Sequence, residues 1–78
     1  MPCRVGITTD PETRRAYWQR QVVGFKNWRI LAKFRSKQKA QDYETSYAAR
    51  SGCQAHAGGP DVPGTWYVYR FDYTRKSR

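Results

Sequence analysis

The stretch from Arg14 to Arg29 is the part of the chain best equipped to act on a polyanion. Tyr17, Trp18, Phe25 and Trp28 are interleaved there with Arg14, Arg15, Arg20, Lys26 and Arg29. Flat rings stack on nucleobases while cations between them neutralise phosphates. The same rings also have an ordinary use as core, because a short chain with few aliphatic residues fills its interior with aromatics. A second grouping is Cys53-Gln54-Ala55-His56, a C-x-x-H spacing that Cys3 could join as a third zinc ligand. It lacks a fourth soft ligand, and cysteine is commonly just a small buried hydrophobe. A Cys–His hydrolase would also need an orienting partner, and the sequence offers none.

Over 78 residues, fifteen Lys and Arg stand against six Asp and Glu, and the net charge of +9 is spread from Arg4 to Arg78. Such a field attracts phosphate backbones, with an affinity that falls steeply as salt rises. Nucleic acid, DNA first, is the expected partner, and an acidic protein surface is the alternative. A chain of this length buries only about 60–65 % of its unfolded surface, so a single domain over residues 1–78 is expected. No stretch approaches the roughly 20 apolar residues of a membrane span, and Met1-Pro2-Cys3-Arg4 does not read as a secretory signal. The expected location is the cytoplasm, where Cys3 and Cys53 would be reduced thiols.

Those groups must be carried by regular elements. Cys3 to Thr8, with Val5 and Ile7 alternating, reads as a strand running into Thr9-Asp10-Pro11-Glu12, a capped helix start with Pro at the first helical position. The helix is expected from about Pro11 to Gln21 or Val22, offering Ala16, Trp18 and Val22 to the core, with Gly24 as its stop. Residues 27–34 alternate as a second strand, with Trp28, Ile30, Ala32 and Phe34 on one face and Arg29, Leu31 and Lys33 on the other. Ser36 caps a second helix to about Arg50, with Ala40, Tyr43, Tyr47 and Ala48 at helical spacing and Gly52 beyond its end. Gly58 to Gly64 is a connecting loop, and Thr65 to Tyr73 is the most strand-like run. Residues 74–78 read as a mobile basic tail. The order β-α-β-α-β predicts an α/β (α+β) domain with one small three-stranded sheet and two helices.

Read cyclically, last strand joined to first, the chain spells Trp66-Tyr67-Val68-Tyr69, then Arg4-Val5-Gly6-Ile7-Thr8-Thr9-Asp10, then Arg14. In that order it resembles the GIY-YIG nuclease domain, circularly permuted so that the family's first strand lies at the C-terminus. Permutation is tolerated where termini meet in an exposed loop. Tyr69 takes the place of the family's first Tyr, Arg4-Val5-Gly6 that of Y-I-G, and Arg14 that of the helix Arg. Ala40 followed by Glu44 resembles the family's A-x-x-x-E. Two positions depart: Arg4 stands where the family has its second Tyr, and Trp18 where it often has His.

The resemblance implies a DNA-binding, divalent-metal-dependent endonuclease. Arg14 would hold a phosphate oxygen, Glu44 would bind Mg²⁺ or Mn²⁺, and Tyr69, with its strand neighbour Tyr67, would act on the attacking water. Arg4, Arg15, Trp18, Arg20, Lys26 and Arg29 would contact the nucleic acid. It also implies that Thr65–Tyr73 pairs antiparallel beside Cys3–Thr8. Each carried residue has an ordinary reading as well: Tyr69 as core, Arg14 paired with Glu12, Glu44 in an exposed helix ion pair. Two other functions remain open, a noncatalytic nucleic-acid-binding module and a small interaction or inhibitor protein for an acidic partner. Oligomeric state is not specified, and a homodimer is among the options.

Overall fold

The computed structural model describes residues 2–56 and 62–76. In chain order the elements are β1 (Cys3–Thr8), α1 (Pro11–Gln21), β2 (Val22–Val23), β3 (Lys26–Phe34), α2 (Lys37–Ser51), β4 (Gln54–His56), β5 (Trp66–Asp72) and β6 (Arg75–Lys76). Most of the expected loop from Gly58 to Gly64 lies outside the described residues.

The expected pairing at the heart of the sheet is present. β5 runs antiparallel to β1, with Gly6 opposite Tyr69 and Ile7 opposite Val68. The sheet has four strands, not three, in the order β3-β5-β1-β4, and β2 pairs with β6 in a separate two-stranded sheet. β4 lies parallel to β1, with Arg4 opposite Gln54. β6 falls inside the expected mobile tail. Val22 and Val23 there take Lys76 and Arg75 as ladder partners, and the N–H of Thr74 donates to the carbonyl of Val23 at 2.8 Å. Backbone pairing, invisible in the polar side chains, is what orders this end.

Both faces of β5 are covered. Trp66 and Val68 join Val5, Ile7, Ala40 and Cys53 in one cluster under α2. Tyr69, Phe71 and Tyr73 point the other way and pack with Trp18 and Val22 of the α1 segment. This follows from the two-residue period of a strand: large apolar side chains on both of its faces, with polar residues only at Arg70 and Asp72, fit a strand covered on both sides.

The helices begin as the sequence predicts. Asp10 accepts from the N–H of Thr13 at 3.3 Å and from its hydroxyl at 2.8 Å, and Ser36 accepts from the N–H of Lys39 at 3.4 Å. α1 ends at Gln21, three residues before Gly24, because Val22 is already extended and enters β2.

β3 does not keep the strict alternation expected of it. Its register slips between Ile30, opposite Tyr69, and Ala32, opposite Val68. The extra residue is a bulge, which re-aims the following side chains. Leu31 therefore packs on the α2 cluster with Ala32 and Phe34, Trp28 packs on the opposite cluster, and Ile30 is left 42 % exposed.

Cys3 and Cys53 are not free thiols. The parallel register that places Arg4 opposite Gln54 sets the residues before them side by side, with Cα atoms 4.8 Å apart, and the two sulfurs are bonded. The expectation of reduced thiols rested on compartment alone and could not see this adjacency. With both sulfurs committed, no thiolate remains for the zinc grouping considered for Cys3, Cys53 and His56. No helix among the described residues is long and apolar enough to cross a membrane.

Candidate functional site

The site gathers around Trp18, the buried residue of α1. Its indole N–H donates to the hydroxyl of Tyr69 at 2.9 Å. The guanidinium of Arg4 lies over its ring at 4.9 Å. The ring of His56 meets it edge-on, centroids 5.0 Å apart. Four elements, α1, β5, β1 and β4, thus converge on one indole.

Tyr69 is 0 % exposed. Its ring stacks on Trp28 with centroids 4.7 Å apart, and its hydroxyl end lies over the backbone of Gly6. A Cβ at position 6 would collide with that hydroxyl and come within 2.6 Å of the ring's Cζ. Gly6 is therefore required by close approach rather than by an unusual φ. Burial pushes the Tyr69 phenol up to about 12; the Trp18 hydrogen bond and the charges of Arg14 and Arg4 act in the opposite sense, and Glu44 adds to the rise. The phenol is neutral at physiological pH and keeps its own proton to donate.

Glu44, the residue the resemblance marks as a metal ligand, is 2 % exposed. The ordinary expectation of an exposed helix ion pair does not hold. Its Oε2 accepts the backbone N–H of His56 at 2.9 Å, the contact that ties α2 to β4. Burial raises this carboxyl to about 7, against the lowering effect of that hydrogen bond. A carboxylate and its acid are then both populated near neutrality.

His56 is shifted the other way. Burial, then the charges of Arg4 and Arg14, hold its imidazole below the usual range, so it is neutral at pH 7. The sequence offers His56 for a zinc site or a Cys–His hydrolase, not for this cluster. The signal that could have placed it here is its position in a short strand whose register with β1 sets it opposite Gly6.

Arg14 stands on α1 over the ring of Tyr17 at 5.1 Å. It lines an open cleft of about 360 Å³ with Thr8, Thr9, Asp10, Tyr17 and Arg20. Its charge is felt by both Tyr69 and His56. A phosphate held there would meet hydroxyls as well as two guanidinium groups. Arg15 is exposed on the same helix.

The remaining candidates lie apart. Tyr67 lines a different cleft, of about 350 Å³, with Lys33, Phe34, Arg35 and Thr65, and the contacts around Trp18 do not include it. Lys26 and Arg29 sit on the edge strand β3, opposite Asp72 and Arg70 of β5. There, Arg29 contributes to keeping Asp72 below the usual carboxylate range, after the hydrogen bonds from Asn27 and Arg70.

Among the described residues, no group of three or more His, Cys, Asp and Glu could hold a metal ion. What the site offers is one carboxylate with one oxygen engaged, beside a neutral phenol, a neutral imidazole and two guanidinium groups. Such a set suits a hydrated hard cation only when waters and a phosphate complete its shell. The chain matches no family model, no curated protein and no solved structure.

Proposed function

We propose that this protein binds DNA along the face carrying Arg14 and Arg20, and that the site beneath is a GIY-YIG-like centre for metal-dependent phosphodiester hydrolysis. The observation that carries the reading is the meeting of Tyr69, Arg14, Arg4 and Glu44. The charges of three of them, Arg14, Arg4 and Glu44, 25 to 65 positions away in sequence, act on the phenol of the fourth. Their cyclic order is the order that the resemblance requires.

The roles follow from chemistry. Arg14 presents a fixed fork to non-bridging oxygens and stabilises the charge that grows on them in the transition state. Glu44 is the residue that would hold Mg²⁺ or Mn²⁺; such an ion polarises the phosphate and lowers the pKa of bound water. Tyr69, neutral and oriented by Trp18, donates its remaining proton as a hydrogen bond toward the reacting centre. Arg4, in the place of the family's second Tyr, adds positive charge beside it.

A second reading, DNA binding without cleavage, is favoured by one observation: the Tyr69 hydroxyl is enclosed and already accepts from Trp18. A water could reach it only if that indole moved.

A mobility-shift titration tests the binding common to both readings. Log affinity for a short duplex falls linearly with log salt, and each phosphate contact adds about 0.9 to the slope. Arg14→Ala and Arg20→Ala each flatten the slope by roughly one contact. No binding at low salt would leave the basic surface to an acidic protein partner.

A further inference from the structure

We propose that the cleft between α1, β4 and β6 is a second phosphate-binding site, with Arg4 at its floor. For its physiological ligand this inference rests on the nucleic-acid reading above; the site itself does not. The cleft has a volume of about 280 Å³ and is lined by Arg4, Tyr17, Trp18, Gln21, His56 and Lys76, with Val22. It shares Tyr17, and no other residue, with the Arg14 cleft. The two cationic clefts therefore lie on either side of one aromatic wall.

Arg4 is the unusual group. It is 8 % exposed, and a buried charge is normally paired. Among the described residues its hydrogen-bond partner is a neutral one, the Oε1 of Gln54, which accepts from Nη2 at 2.8 Å. Among those same residues its Nε is enclosed without a partner. The face of Trp18 supplies part of the compensation. Among the described residues no carboxylate lines the cleft, and Lys76 adds a second cation at its rim. A guanidinium desolvated in advance, held against an indole and short of an anion, is arranged for a phosphate oxygen. Arg4 stands where the resembled family has Tyr, so this anchor belongs to this chain's own residues.

The test is an NMR titration of the whole protein with inorganic phosphate at fixed pH and ionic strength, following the indole N–H signal of Trp18. Saturable movement of that signal is expected. Arg4→Gln should weaken binding by roughly tenfold or more, the worth of one charge-assisted hydrogen bond. Lys76→Gln, on an exposed strand end, should weaken it by roughly two- to threefold and does not risk the core. Arg50→Gln, exposed in the last turn of α2, removes the same charge and should change nothing.

Competition separates the sources of the phosphate. A 5′-phosphorylated oligonucleotide that displaces inorganic phosphate better than its 5′-hydroxyl counterpart identifies a strand end, and equal displacement identifies the backbone. Absence of a saturable shift at Trp18, or an equal loss in Arg4→Gln and Arg50→Gln, overturns the site. Displacement by neither oligonucleotide overturns its link to nucleic acid while leaving DNA binding at the Arg14 cleft to the mobility-shift assay.

Discussion

Trp18 donates its indole N–H to the hydroxyl of Tyr69 at 2.9 Å, across 51 positions of sequence. This bond fastens α1 to the middle of the sheet and fixes the phenol over Gly6. Removing either partner leaves the other buried and unsatisfied, at about 1–3 kcal/mol. Trp18→Phe and Tyr69→Phe should each lower stability in urea, and the double variant should cost less than their sum. Strict additivity would mean that the bond contributes nothing.

Gly6→Ala places a methyl group against the Tyr69 hydroxyl. The expected loss is about 1–3 kcal/mol, typical of overpacking a close-packed interior. Combining it with Tyr69→Phe should recover only part of that loss, because Cζ remains within 2.6 Å of the new carbon. Wild-type stability in Gly6→Ala would show that the strand pair can part without cost.

Glu44 makes stability depend on pH. Its carboxyl titrates near 7 in the fold against 4.5 unfolded. Between those values the unfolded chain has already lost a proton that the folded chain retains. The contribution of Glu44 is therefore fully present below about pH 4.5 and is lost as pH rises through 7, by up to about 3 kcal/mol. Glu44→Gln should remove this dependence, which urea midpoints from pH 4 to 8 would reveal. Parallel profiles for wild type and Glu44→Gln would contradict the burial of an ionisable carboxyl.

The Cys3–Cys53 bond closes a loop of 50 residues. By loop entropy such a closure stabilises by about 4 kcal/mol. Reduction with dithiothreitol, or Cys53→Ala, should lower the unfolding free energy by roughly 2–4 kcal/mol. Amide exchange at Gln54–His56 should quicken most, since that edge strand is short. Identical unfolding curves before and after reduction would place the thiols apart in solution.

The strand-to-helix turn at Asp10-Pro11 and both helices were legible in the sequence because capping residues act locally, whereas the adjacency of Trp66–Tyr69 to Arg4–Thr8 was implied only by the cyclic resemblance, since pairing between the two ends of a chain leaves no local signal. The bulge at Leu31, which exposes Ile30, was not, since it is set by pairing with Tyr69 and Val68 rather than by side-chain type. β4 is three residues long, too short for periodicity to register. The Arg75–Lys76 strand is held by backbone groups, and its charged side chains read as a tail. Of the site, Tyr69, Arg14 and Glu44 could be named in advance, whereas Arg4 as a buried cation and His56 as a neutral imidazole depend on desolvation that only packing creates.

Cleavage tests the central claim most directly. Supercoiled plasmid, incubated with the protein and Mg²⁺ or Mn²⁺, should be nicked. Arg14→Ala should slow that by roughly 10²–10³-fold, as loss of one transition-state donor does, and Glu44→Ala should abolish it while DNA binding persists. Plasmid and single strands left uncut in both metals would contradict the hydrolytic account and leave the protein a binding module; nicking that survives Glu44→Ala would contradict the assignment of the metal to that carboxylate.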